Sequence, residues 1–471
     1  PSPLVSAFST TKNVSATFTL SGSDPENDLI TFSLTTNPSH GTMVLSDRQV
    51  TYTPELDFIG SDSFGFSVSD GTNVSSETIV PIEVYMRYIN NPVAMENSLL
   101  GKNSNDQFGK SVDFDANGVT MAVGAPFNDD SFNNAGQVVV YDYDNDQWTQ
   151  KGSAINGLGE NYYFGYNVKL SSDGTSLLVQ EGEQGNCCST SYISVYRFIN
   201  DDWVKLGSTI TKNDYYTMEN IALSDDGYKI IIGSSIFNYN DANNNYLSNV
   251  GKVNVYSYDG SDWGQLGNEI KGLVNYERFG FNVAITPDAN TIAVSSPEYS
   301  GTVNSSGKVN VYTLQDNSWI AIGGSIEGSS ENSYLGRKIQ LSDDGKTIVS
   351  SQESNGHSAE VYHLVDGQWV KLGNSISSLD SNNNNLQIVS IEINTEGSLI
   401  GVGYPYAGAN SDGSIKLYSL IEDQWEPLVI LNGDGNDNLG NSFSLTKDGL
   451  RVSAGISNNF DFPNGKVKIF S

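Results

Sequence analysis

Six tryptophans occur in this chain, and every one sits in a variant of the same short phrase. "NDQWTQKGSAI" around Trp148 returns as "NDDWVKLGSTI" (Trp203), "GSDWGQLGNEI" (Trp263), "DNSWIAIGGSI" (Trp319), "DGQWVKLGNSI" (Trp369) and, more worn, "EDQWEPLVIL" (Trp425). Aligning the phrases exposes a repeated unit of roughly 50 to 60 residues, longer than WD-type repeats of about 40 to 45.

Each unit contains four strand-like pieces. The first follows Phe-Gly or Leu-Gly (Phe108-Gly109, Phe164-Gly165, Phe279-Gly280, Leu335-Gly336, Leu439-Gly440), with Met218 and Leu386 at the same place in two degraded copies. A tight turn such as "SSDG", "SDDG" or "TKDG" leads to an apolar second strand such as "VTMAVGAP". After a long variable loop comes a third strand, "GQVVVYDY" or "GKVNVYSY", with an aromatic recurring seven times: Tyr141, Tyr196, Tyr256, Tyr312, Tyr362, Tyr418 and Phe470. The tryptophan phrase is the fourth strand. Seven third strands and six tryptophan strands leave one copy short, and "PVAMENSLLG" from Pro92 fits the frame of "WTQKGSAING", with Leu99 and Gly101 in the Ile and Gly positions. Residues 88–107 are therefore expected to supply the outer strand of the last blade, closing a β-propeller without an unpaired sheet edge. The tryptophans are expected to pack blade against blade.

Composition narrows the partners. Acids outnumber bases 55 to 24, for a formal charge of −31. A phosphate backbone or an anionic membrane would be repelled, so neither nucleic acid nor membrane is an expected partner. No apolar run approaches 18 residues, so direct membrane insertion is not expected either. The chain opens at Pro1 without a signal peptide and reads as a mature or excised piece, and three N-x-S sequons (Asn13, Asn73, Asn304) fit a secreted protein. The only cysteines, Cys187 and Cys188, are adjacent in a variable loop. They leave three readings open: a vicinal disulfide, a cross-link to another chain, or two thiols.

"FGKSV…MAVGAP" in the first copy resembles the FG-GAP repeats of integrin α-chain propellers, and the tryptophan phrase resembles related bacterial and algal repeats of the form W-x-Q-L-G-x-x-I-x-G. The resemblance covers residues 88–471 and implies a seven-bladed propeller. Integrin-type copies carry a D-x-D-x-D-G calcium loop after the first strand. Here that place holds a four-residue turn, beginning with Asp115, Ser171, Ser224, Thr286, Ser342, Asn394 or Thr446, whose small polar side chains suit backbone bonding. Only "DFDANG" (Asp113, Asp115, Asn117) keeps alternating oxygens.

Residues 1–87 read differently, with alternating strands and turns every 8 to 12 residues, as in an immunoglobulin-like sandwich. "SGSDPENDLITFSL", "PSHGT", "TYTP" and "GSDSFGFSVSDG" resemble the bacterial cadherin-like modules of surface adhesins. That family binds calcium through acidic groups at module ends, which implies Asp24, Glu26, Asp28, Asp62 and Asp70 as ligands and Ca²⁺ as a cofactor.

The fold class expected is thus all-β: a small cadherin-like sandwich plus a seven-bladed propeller closed by an N-terminal strand. In such a ring the second-to-third loops and the fourth-to-next-blade loops share one face, and both kinds are long here. That face is the expected binding surface, because rigid scaffolds carry function on such loops. Its candidate contacts are Phe127, Phe132, Tyr162, Tyr163, Tyr215, Tyr216, Tyr239, Tyr276, Tyr334, Tyr404 and Tyr406, tyrosines among small polar residues. Catalysis is not expected, since the inner-strand starts offer mostly Ser, Asn and Lys, with Glu219 and Glu392 as isolated exceptions. The function expected is adhesion at a cell surface or matrix through a glycan or protein ligand, with the cadherin-like part as a calcium-stiffened spacer. The alternatives are a subunit of a surface filament, touching neighbouring modules or subunits, and a polysaccharide-active enzyme.

Overall fold

The structure, a computed structural model, describes residues 1–471 except 5–7, 13, 27, 57, 59, 86–97, 183–189, 213–219, 354–355, 379–385, 409–410, 422 and 458–463. Every regular element among the described residues is a strand. The chain divides into two compact units, Pro1–Tyr88 and Ile89–Ser471.

The first unit is a two-sheet sandwich. One sheet runs Phe8–Thr11, Thr78–Tyr85, Gly60–Ser69, Thr31–Thr36, and the other Ala16–Thr19, Gln49–Pro54, Gly41–Ser46. Alternate residues point inward along each strand, so Val50 and Tyr52 of one sheet meet Phe64, Phe66, Val68, Val80 and Ile82 of the other in one buried cluster. The first strand of the larger sheet pairs parallel to the last.

Among the described residues, the second unit contains seven antiparallel blades, six of which run in sequence order from an inner to an outer strand, and a small two-stranded sheet, Tyr239–Asn240 with Tyr246–Leu247. The inner strands of the blades are Ser111–Phe114, Asn167–Leu170, Asn220–Leu223, Val283–Ile285, Ile339–Leu341, Ser390–Ile393 and Ser442–Leu445. Each adjoins the next, and the seventh adjoins the first. The outer strand of the seventh blade is Leu99–Leu100, paired with Lys466–Phe470 so that Leu99 faces Val467. Gly101 donates its N–H to Gly465 O at 2.9 Å, as Gly157 does to Gly136 O in the first blade. The register inferred from Leu99 and Gly101 is the register found.

The core is a series of layers between blades. Ala122, Val138 and Val140 of the first blade meet Phe164, Val168, Leu177 and Trp203 of the second, and the pattern recurs around the ring. Tryptophan bonds across five of the layers. Trp203 donates its indole N–H to Lys151 O (2.9 Å), Trp263 to Leu206 O (2.8 Å), Trp319 to Leu266 O (3.1 Å), Trp369 to Ile322 O (3.3 Å) and Trp425 to Leu372 O (2.9 Å). Every acceptor belongs to the preceding outer strand and is followed by a glycine at positive φ: Gly152, Gly207, Gly267, Gly323 or Gly373. A Cβ on any of the five would run into the tryptophan of the next blade. The glycine in the phrase therefore serves its neighbour. The sixth phrase, "WEPLV", has lost it, and in sequence the phrase aligned with the closing strand, "PVAMENSLLG", has Pro92 where the others have tryptophan.

The recurring third-strand aromatic is not the cross-strand partner of tryptophan. Tyr143, Phe198 and Tyr258, two residues further on, pair with Trp148, Trp203 and Trp263. Tyr141, Tyr196 and Tyr312 instead meet the edges of Phe108, Phe164 and Phe279 at 6.0 to 6.4 Å between centroids. The Phe-Gly step thereby seats a ring in the core and then lets two blades touch through backbone. A Cβ on Gly124 would fall on the carbonyl oxygen of Gly165 in the next blade, and Gly233, Gly403 and Gly455 stand in the same relation to Gly280, Gly440 and Gly109.

Two glycines separate the contributions of dihedral and packing. Gly323 and Gly367 share φ 74°, but Gly367 has open space where Gly323 faces Trp369. Urea denaturation should show Gly367→Ala losing about 1 kcal/mol, the cost of the left-handed conformation. Gly323→Ala should lose about 3 kcal/mol, because overpacking adds to that cost. Equal losses would mean that the indole seat does not constrain the ring.

Candidate functional site

Two places on the propeller gather polar and aromatic groups: the long-loop face and the axial channel.

On the loop face, the second-to-third loop of one blade bonds to the connection entering the next. Asn161 N donates to Asn133 O (2.9 Å) and Tyr163 N to Asn134 O (3.1 Å), and the same pair of bonds recurs from Tyr276 and Arg278 to Ser248 and Asn249, and from Asn332 and Tyr334 to Asn304 and Ser305. The connection holds its bend with left-handed residues one and three positions before the Phe or Leu: Gln107 and Asn105, Tyr163 and Asn161, Arg278 and Tyr276, Tyr334 and Asn332, Asn438 and Asn436. Buried side chains anchor it from beneath. Asp106 accepts from Asn128 Nδ2 at 2.6 Å, Glu277 from Val274 N at 2.8 Å, and Asp437 from Lys468 Nζ at 2.7 Å.

This architecture sorts the expected contacts. Tyr404 is 0% exposed, in the layer between the fifth and sixth blades with its hydroxyl 3.5 Å from that of Tyr418. It is a core residue, which corrects its assignment to the binding face. Tyr163 is also buried, edge-on to the half-buried Phe127 at 5.0 Å. Tyr334 fills a bend position under Arg337, Tyr162 stacks on Tyr192 at 5.4 Å, and Tyr239 stacks on Phe237 and donates to Gly272 O at 3.2 Å. Three candidates remain turned to solvent: Phe132 (53% exposed), Tyr276 (58%) and Tyr406 (55%). Exposed Leu158, Leu273 and Tyr246 join them on the same face, and none of these three is among the candidate contacts expected from sequence. Tyr215, Tyr216, Cys187 and Cys188 lie outside the described residues.

The opposite face is sealed. The first residue of each tight turn accepts N–H groups from the turn's far end with its side chain: Asp115 from Val119 and Thr120, Ser171 from Thr175 and Ser176, Asn394 from Ser398 and Leu399. Asp115 does the work of its serine and threonine counterparts, so "DFDANG" is a turn of the same kind. The second turn residues link blade to blade through backbone, Ala116 N to Ser172 O, Ser172 N to Asp225 O, Asp225 N to Pro287 O, Asp343 N to Thr395 O, Thr395 N to Lys447 O and Lys447 N to Ala116 O, all at 3.1 to 3.2 Å. The circle breaks at Pro287, whose nitrogen has no hydrogen to give. Inside it, Lys447 reaches across the axis to pair with Asp225 of the third blade and with Asp343 of the fifth at 2.7 Å.

Above that bridge lies a chamber of about 320 Å³ lined by all seven inner strands. Inner strands are sheet edges, and side chains from the neighbouring blade satisfy several of their N–H groups. Asp113 Oδ2 accepts from Leu170 N (2.8 Å), Ser444 Oγ from Phe114 N (3.2 Å) and Asn282 Oδ1 from Ile339 N (3.1 Å). Asp113 Oδ1 also pairs with Lys169 Nζ at 3.1 Å. Glu392 accepts from Gln340 Nε2 at 3.2 Å. Burial pushes the Glu392 carboxyl up to about 7, with Asp113 adding to the rise and Lys169 and Lys338 opposing it. Burial pulls Lys110 and Lys338 below the usual lysine range. Sequence reading had treated Glu392 as isolated. Aligning inner strands by their turns places Asp113, Lys169, Gln340, Glu392 and Ser444 at one level, two residues before each turn begins.

The acids of the first unit hold local structure. Asp62 Oδ1 accepts from Ser39 N and Ser63 N, and Oδ2 from His40 N and Tyr52 Oη, all at 2.8 to 3.0 Å. Four donors occupy this buried carboxylate and hold it below the usual range although burial opposes them. It ties the "PSHGT" turn to the core. Asp24 Oδ1 accepts from Glu26 N and Asp28 N, and Asp70 Oδ1 from Thr72 N and Asn73 N, as in ordinary Asx turns. Among the described residues, no three His, Cys, Asp or Glu side chains gather as a metal site requires.

Comparison with known proteins agrees with this architecture. Residues 2–83 match the bacterial Ig domain. Such domains are typical of extracellular and surface proteins. Over 79% of this chain the structure is similar to hydrazine synthase of Kuenenia stuttgartiensis (14% identity, 97% of that chain, TM-score 0.51). It is also similar over 79% to the Cps50 (Swd1) β-propeller domain of Myceliophteria thermophila (10% identity, 98% of that chain, TM-score 0.51). At such identities the likeness concerns fold alone. No curated protein sequence matches the chain. The chain is a bacterial Ig-like domain followed by a β-propeller.

Two measurements check the electrostatics. An unfolded glutamate titrates near 4.5 and Glu392 near 7. Between those values the folded state keeps a proton the unfolded state has released, so this group's contribution to stability falls as pH rises through that window. Denaturation from pH 4.5 to 7.5 should show Glu392→Gln flattening the fall by on the order of 1–3 kcal/mol. In the first unit, EDTA should leave the unfolding midpoint unchanged, and a drop of several degrees would restore calcium.

Proposed function

We propose that this chain is a recognition module of an extracellular surface protein, which grips a glycan or protein ligand with the loop face of its propeller. The carrying observation is the asymmetry of the two faces. One is closed by tight turns and a cross-axis lysine, while the other holds bonded loops with Phe132, Tyr276 and Tyr406 turned outward. Rigid aromatics offer large contact area at low entropic cost. The Phe-Gly and Gly-Ala-Pro positions fit the FG-GAP class, and the Ig-like unit fits a cadherin-like adhesin spacer. The match of the first unit to the bacterial Ig domain supports localisation at the cell surface.

The reading is non-catalytic. Glu392, held near neutrality, is the one observation favouring a polysaccharide hydrolase. Asp113, the carboxylate beside it, is committed to Lys169, Leu170 and Ser444, which makes it a poor base to complete a pair.

A glycan array probed with the intact chain, with and without calcium, tests the proposal. Binding should not require calcium and should disappear when Phe132, Tyr276 and Tyr406 are replaced together by alanine. Undiminished binding by that variant would remove the loop face from consideration. Silence on every glycan, together with concentration-dependent self-assembly, would replace adhesion by a filament-subunit role.

A further inference from the structure

One lysine departs from the repeat in a way the fold alone does not require. Five fourth-strand phrases end on glycine, at Gly101, Gly157, Gly272, Gly328 and Gly433, where a Cβ would fall 1.8 to 2.0 Å from a backbone carbonyl oxygen. The fifth copy has Ser378 at that place, and the second has Lys212. Lys212 ends the outer strand Asp202–Lys212 of the second blade, yet it is only 8% exposed, because its side chain runs into the layer shared with the third blade.

There its ammonium donates to Asn254 Oδ1 at 3.0 Å and to Tyr256 Oη at 2.7 Å, both on the third strand of the third blade, Lys252–Tyr258. Asn254 is 3% exposed, and its Nδ2 donates to Glu269 Oε2 at 3.3 Å. Glu269 in turn pairs with Lys271 at 3.1 Å and with Lys252 at 3.6 Å. Burial would raise its carboxyl, but those two lysines and Asn254 hold it below the usual range, so it is ionised near neutrality. A lysine buried for stability alone is best matched by a carboxylate at its own nitrogen. Here an amide stands between the two, its carbonyl oxygen against the amine and its nitrogen against the carboxylate. Nucleophile, acyl carbon and proton carrier are thereby held together where little water can compete.

We propose that Lys212 and Asn254 condense to an isopeptide bond that rivets the second blade to the third, with Glu269 as the proton carrier. Lys212 Nζ attacks Asn254 Cγ, so that the Nζ–Cγ bond forms and the Cγ–Nδ2 bond breaks. The lysine ammonium gives up two protons in becoming an amide N–H, Nδ2 gains both by way of the Glu269 carboxylate, and ammonium leaves. No oxidant, metal or co-reactant enters the balance. Asn310 holds the place of Asn254 in the fourth blade, but the phrase before it ends in Gly272, which carries no amine. The bond is independent of what the loop face binds.

Peptide mapping of the intact chain tests this. The purified protein is held near neutral pH, denatured, digested with trypsin and read by tandem mass spectrometry. The expected product joins residues 206–229, uncut at Lys212, to residues 253–271, and is lighter than the two together by one ammonia. A succinimide at an Asn-Gly step also sheds ammonia, but within one peptide, so only the joined pair counts. Lys212→Arg should abolish the pair, and Glu269→Gln should cut its yield at least tenfold. Recovery of 206–212 and 253–271 only as separate peptides from the wild-type chain overturns the proposal, and that measurement needs no variant to fold. A yield from Glu269→Gln equal to wild type, or a joined pair running through Asn310 in place of Asn254, overturns it as well.

Discussion

An indole resting on a glycine of the preceding blade is the contact on which the rest of the propeller depends. It sets the spacing of adjacent outer strands, gives the indole N–H its acceptor, and confines glycine to one position of the repeat. On the inner side, paired glycines such as Gly124 and Gly165 let backbones touch. Indoles between the outer strands and glycine contacts nearer the inner ones make each blade a wedge. Seven wedges close a ring.

Much of this was legible because repetition multiplies weak signals. One W-x-x-x-G means little, but five copies, and a sixth that drops its glycine where the next phrase in the alignment has Pro92 for tryptophan, describe an interface. The closing strand was legible for the same reason, since Leu99 and Gly101 keep the frame of Ile155 and Gly157. The candidate site was less so. Tyr404 and Tyr406 look alike in a loop sequence, yet one is sealed between blades and the other faces water. Tyr163 and Tyr334 occupy bend positions that Gln107, Arg278 and Asn438 fill elsewhere, which composition cannot reveal. Asp62 reads as a ligand until its four donors are known. The chamber was hidden because Lys169, Lys338 and Glu392 belong to three blades and meet only through closure.

The two faces of the ring divide the labour. Tight turns bond side chain to backbone within a blade and backbone to backbone between blades, giving a floor with little freedom to change. The loop face uses the same economy beneath its variable residues, since buried Asp106, Glu277 and Asp437 hold the bends from below. Sequence can therefore vary at the loop tips without loosening their bases. That arrangement suits a scaffold whose ligand differs from one relative to the next.

The pairing of Leu99 with Val467 also imposes an order on synthesis. One partner leaves the ribosome among the first residues of the propeller and the other among the last. Until both are out, the first blade must keep the face carrying Phe108, Val112 and Met121 without the Val467 and Ile469 that cover it in the finished ring. At about 5–20 residues per second, the wait is on the order of tens of seconds. A nascent chain with an uncovered apolar blade at each end can join another such chain as readily as itself, so closure within one molecule is a race against exchange between two.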